Sequence, residues 1–116
     1  MGSATKKVGL KEEINKSINF LKKHFKIDQV ILFGSQASGN ADEHSDIDLA
    51  VISPDFSGRS YEEIINIFAE LAIKYSSKIE IRPYSPADLK AARPTNFLGF
   101  ILKNGQTVYK SNRLYL

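Results

Sequence analysis

Asp46 and Asp48 bracket Ile47 at the head of an apolar run that continues to Ile52. On an extended strand alternate side chains share a face, so the two carboxylates stand together while Ile47, Leu49 and Val51 point the other way. Two like charges about 6 to 7 Å apart, two residues of strand rise, repel one another unless a cation lies between them. Oxygen-only donors suit Mg²⁺, Mn²⁺ or Ca²⁺, and Mg²⁺ is commonly held by a few carboxylates together with substrate phosphates. Glu80 supplies a third carboxylate if its run, Lys78 to Tyr84, forms a parallel neighbour of the first strand; otherwise it is a surface residue or a partner for Arg82. Three carboxylates can hold two divalent ions about 3.5 to 4 Å apart, the geometry of in-line phosphoryl or nucleotidyl transfer. Gly34-Ser35 fits the same chemistry, because a strand ending in Gly-Ser offers backbone N–H groups and a hydroxyl to a phosphate.

Other phosphate and metal motifs are excluded. Asn40 stands where a P-loop requires Lys, and no GxGxxG occurs. The Asp-x-Asp is not a calcium loop, since Ile47 and Leu49 are buried types and no Gly follows at the sharp turn. His24 and His44 lack ligand spacing and are expected to face solvent. Taken singly, Gly34-Ser35 reads as a turn and Asp46-Ile47-Asp48 as a solvated strand entry. Their order, with an acidic strand afterwards, favours the functional reading. For Arg82, balancing Glu80 is favoured over touching phosphate.

These residues belong to a chain of 116 residues, enough for one domain spanning 1–116. Residues 1 to about 8 are expected to stand outside its packed unit. With no cysteine there is neither a disulfide framework nor a thiolate metal site, which fits a cytoplasmic protein. No apolar run approaches a membrane span. Net charge is +3 overall but runs +5 over residues 1–27, −8 over 28–70 and +6 over 71–116. An acidic middle between basic ends argues against duplex nucleic acid and for a carboxylate site that needs cations.

The positioning elements follow from periodicity. Ile14, Ile18, Leu21 and Phe25 recur at helical spacing within Lys11 to Phe25. Val30 to Phe33 and Ile47 to Ile52 are short, β-rich runs, read as buried strands. Ser60 and Glu63 form a capping box before Ile64, Ile65, Phe68 and Leu71, predicting a helix to about Tyr75. Ile79 and Ile81 alternating with Glu80 and Arg82 predict a third strand, and a strand, helix, strand order favours parallel pairing. Ser85 caps a short helix at Pro86, Phe97 to Lys103 is a last helix preceded by Thr95, and Thr107 to Lys110 reads as a small edge strand. The fold class is α/β (α+β): a small mixed sheet with helices packed on it.

Gly34-Ser35, ten residues, then Asp46-Ile47-Asp48, within FGSQASG and SDIDLAV, resembles the signature of minimal nucleotidyltransferases of the DNA polymerase β superfamily. The ending FILKNGQTVYKS resembles the family's as well. The resemblance implies a polymerase β palm-like fold, with Gly34 and Ser35 holding the triphosphate of ATP or another NTP. It implies that Asp46 and Asp48 bind two Mg²⁺, or Mn²⁺, while Glu80 completes one metal site and activates the acceptor hydroxyl. Many relatives carry Arg at the position of Gln36 and a basic residue at that of Ser38, so two phosphate-facing cations are missing here. Minimal members are often paired with a helical HEPN-type toxin, some adenylylating its tyrosine. AMP transfer from ATP to such a partner is therefore expected; alternatives are a non-catalytic antitoxin that neutralises by binding, and transfer to a small molecule in a cleft built by homodimerisation.

Overall fold

The computed structural model describes residues 2–42, 44–75 and 77–116. Helix α1 (Gly2–His24) leads into strand β1 (Gln29–Phe33), a single turn α2 (Ser35–Ser38) and strand β2 (Ile47–Ile52). A second short turn α3 (Asp55–Gly58) precedes helix α4 (Tyr61–Lys74) and strand β3 (Ile79–Tyr84). Helices α5 (Pro86–Lys90) and α6 (Phe97–Asn104) and the hairpin of β4 (Gln106–Lys110) and β5 (Arg113–Leu114) complete the chain. No described helix is long and apolar enough to cross a membrane.

The sheet runs β3-β2-β1-β4-β5 and is mixed, as the sequence predicted. Strands β1 and β2 are antiparallel with Phe33 opposite Asp48, and β2 and β3 are parallel with Asp48 opposite Glu80. Strand alternation sends Val30, Leu32, Leu49 and Val51 into one core with Ile14, Ile18 and Leu21 of α1 and Ile64 and Leu71 of α4. Ile31, Phe33 and Ala50 face the other way, against Leu98 and Ile101 of α6. The second, smaller core leaves part of that sheet face uncovered, and Asp48 projects from it.

Two expectations change. Helix α1 starts well before Lys11, because residues 2–10 contain no proline and Gly9 alone costs only about 1 kcal/mol in a helix. The strand near Thr107 is not an edge: β4 lies between β1 and β5, with Val108 and Tyr109 buried, and the two-residue β5 that covers it was too short to show periodicity. The cap of α6 is Asn96, whose Oδ1 accepts from the Gly99 N–H at 2.8 Å. A Cβ at Gly99 would collide with the Arg93 carbonyl, so that glycine lets α6 seat closely on the preceding turn.

Capping does much to fix the helix starts around the site. Ser60 Oγ accepts from the Glu63 N–H at 3.2 Å. At α5 the box is reciprocal: Ser85 Oγ accepts from the Asp88 N–H at 3.2 Å, and the Asp88 carboxylate accepts from the Ser85 N–H at 2.9 Å. Ser85→Ala should therefore lower unfolding free energy by about 1 kcal/mol in urea titration, and an unchanged midpoint would show that the box is not supporting β3's exit.

Candidate active site

The parallel register that sets Glu80 opposite Asp48 is the feature on which the site depends. Cross-strand neighbours on one face have Cβ atoms about 5 Å apart, so two carboxylates are forced together by backbone pairing alone. Asp48 is half-buried in β2, while Asp46 lies one residue ahead of the strand and is exposed. Glu80 is pushed above the ordinary glutamate range. The hydrogen bond between Glu80 and Asp48 contributes most, followed by the charge of Asp46, slight burial and the charge of Asp48; Arg82 pulls weakly the other way. All three carboxylates thus interact.

Among the described residues, no three carboxylate or imidazole groups are drawn together tightly enough to form a ready ligand cluster. The donor set nevertheless fits a hard divalent cation: it is all oxygen, and carboxylates set opposite one another repel unless a cation lies between them. Asp48 and Glu80 form the preassembled pair, with Asp46 at the strand entry.

Gly34 closes the site from the β1 side. Its φ of 75° and ψ of −154° lie in a region open essentially to glycine alone. A Cβ there would run into Oδ2 of Asp48. The Gly34 carbonyl accepts from the N–H groups of Ala37 and Ser38, both at 3.1 Å, which turns the chain into α2 and places half-exposed Ser35 at its first position. The sequence-predicted residues Gly34, Asp46, Asp48 and Glu80 therefore meet at one end of the sheet, with Ser35 adjoining.

Two features were missed. Phe33 stands directly opposite Asp48, a placement readable only once the β1–β2 register is known. Arg82 acts on Glu80 through its charge, as expected, but its guanidinium lies over the ring of Phe97, 4.6 Å from the centroid. Nothing in the spacing of residues 82 and 97 signals that contact. His44 is exposed, as expected, whereas His24 is half-buried with its ring 4.8 Å from that of Phe20.

The model of the polymerase β nucleotidyltransferase family matches residues 15–114. The chain belongs to that family. A relative from Methanocaldococcus jannaschii, provisionally named a protein adenylyltransferase, is 33% identical over 98 residues, covering 84% of this chain and 93% of its own. A crystal structure of a provisionally named nucleotidyltransferase from Sulfolobus solfataricus shares the fold at a TM-score of 0.71 and 11% identity, over 100% of this chain and 94% of that one. A crystal structure of a mutant of the MntA–HpeT toxin–antitoxin matches at a TM-score of 0.59 and 25% identity, over 84% of this chain and 72% of that one. A toxin–antitoxin structure with AMP-PNP matches at 0.61 and 23% identity, over 84% and 73%. This nucleotidyltransferase has the family's mixed sheet, and it is an enzyme of that class.

Proposed function

We propose that this nucleotidyltransferase transfers AMP from ATP to a hydroxyl of a partner protein, a tyrosine of a HEPN-type toxin. The carrying observation is the Asp48–Glu80 pair set by the parallel register, with Gly34 against Asp48. The acceptor class is supported by the adenylyltransferase relative and by the toxin–antitoxin structures. Asp46, Asp48 and Glu80 would hold Mg²⁺, which when bound supplies charge neutralisation at the phosphates and polarises the reacting oxygens. Gly34, with no side chain to obstruct approach, and Ser35 bind and orient the triphosphate.

In the reaction the acceptor oxygen forms a bond to the α-phosphorus while the bond from that phosphorus to the bridging oxygen breaks, releasing pyrophosphate. The hydroxyl proton goes to Glu80, the carboxylate set opposite Asp48 by the parallel register. The test is label transfer in Mg²⁺ with ATP labelled at either the α or the γ phosphorus. Label from the α position should reach the HEPN-type partner and label from the γ position should not. Transfer of γ label would make the enzyme a kinase, and suppression of the toxin with no transfer of either label would make it a binding antitoxin.

A further inference from the structure

The exposed aromatics of α6 lie on the sheet face that carries the carboxylates. Phe97 is 45% and Phe100 52% exposed, an unusual cost for two large apolar rings on one short helix. Phe97 is nevertheless held firmly. The ring of Phe33 meets it at 82° with centroids 5.7 Å apart, and Phe100 lies nearly parallel to it at 6.1 Å. Arg82 covers it at 4.6 Å. Because Phe33 is the register partner of Asp48 and Arg82 follows Glu80 by two residues on the same face, this layered group starts one residue pair from the carboxylates.

We propose that Arg82, held over the ring of Phe97, is the group on which the base of the nucleotide substrate stacks. The inference rests on the reading that the nucleotide's phosphates lie at Asp46, Asp48 and Glu80. A nucleotide anchored there must carry its base across the adjoining surface, and the sheet face between β3 and α6 offers a guanidinium plane there. Arginine is planar, weakly hydrated and stacks on π faces, so a guanidinium backed by one ring can receive a second on its open side. Lysine has the charge without the plane. That difference separates stacking, whose loss in Arg82→Lys weakens AMP-PNP alone, from the rival role of a bidentate phosphate ligand, whose loss would weaken both probes alike.

The experiment is calorimetric titration in Mg²⁺ with two probes: AMP-PNP, and inorganic tripolyphosphate, which has no base. Arg82→Lys and Phe97→Leu should each weaken AMP-PNP roughly tenfold, in line with measured base stacking, and leave tripolyphosphate unchanged. Phe97→Leu keeps an apolar side chain against Phe33, and its melting temperature reports whether α6 has stayed in place. Equal losses for both probes would assign Arg82 to the phosphates and overturn the proposal, as would undiminished AMP-PNP binding in both variants. Asp48→Asn serves as the separate test of the underlying reading. Loss of both probes in that variant supports it, whereas retention of both beside a selective loss in the Arg82 and Phe97 variants would overturn the phosphate assignment and leave the stacking plane standing. Wild-type protein that binds neither probe overturns both.

Discussion

Asp48→Asn should cost about 10²-fold to 10³-fold or more in AMP transfer, the scale on which removal of a single preorganised electrostatic group is felt. It should do so without unfolding the protein. Asp48 occupies a half-buried position in β2, and Asn matches its shape there. Asp48 and Glu80 face each other across the parallel register, and like charges directly opposite repel in the metal-free protein. Neutralising one member removes the repulsion, so in EDTA at neutral pH the variant should melt no lower than wild type. Adding Mg²⁺ reverses the order: wild type gains stability by mass action, since an ion that binds only the folded state raises its melting temperature, and the variant gains little. Calorimetric melts with EDTA and with Mg²⁺ check both halves. A variant that melts far below wild type in EDTA would show that Asp48 is a packing residue whose loss of activity is trivial. One that keeps its Mg²⁺ response would move the ion to Asp46 and Glu80.

The opposition of stability and proposed function at Asp48 also explains why the candidate site was legible from the sequence as a group of carboxylates while its surroundings were not. A strand headed by Asp-Ile-Asp contradicts the local preference for apolar or neutral strand residues, and a contradiction of that kind points to function. Glu80 required one further step, the parallel pairing implied by a strand, helix, strand order, and the register places it opposite Asp48. What stayed hidden depends on long-range geometry. Arg82 had an acidic neighbour two positions away on its own strand, and local reasoning stopped at that balance of charge; the ring it also covers, Phe97, is delivered by a helix whose seat is set by the tight approach of Gly99 to Arg93. The edge position assigned to β4 failed for a similar reason. A strand's place in a sheet depends on the neighbour it acquires, and β5, at two residues, carries no pattern of its own. Ile65 shows the limit of periodicity from the other side: its spacing on α4 suits the core, yet it is 38% exposed, because the core-facing stripe centres on Ile64 and Leu71.

Gly34→Ala should be as damaging as Asp48→Asn, but by a different route. Two penalties coincide at this residue. Its backbone occupies a conformation that costs any L-residue roughly 1–3 kcal/mol, and the added methyl would occupy the space of Asp48 Oδ2. The chain can relieve the first by rotating the Gly34 peptide, but that rotation moves the carbonyl that accepts from Ala37 and Ser38 and so releases α2. It can relieve the second by turning Asp48 away, but that parts the carboxylate from Glu80. Either response removes an element of the site, so activity should fall at least 10²-fold, with a loss of stability of about 1–3 kcal/mol in urea titration. The two routes give different signatures in Mg²⁺ titration. Displacement of Asp48 would abolish the metal-dependent rise in melting temperature, whereas release of α2 would keep that rise and weaken tripolyphosphate binding. Gly39→Ala is the matched control, since Gly39 also has positive φ, 83°, but a Cβ there meets nothing within 4 Å. It should lose some stability through backbone strain alone and keep its activity. Equal activity losses at the two glycines would show that flexibility of the turn, and not the contact with Asp48, is what the enzyme requires of Gly34.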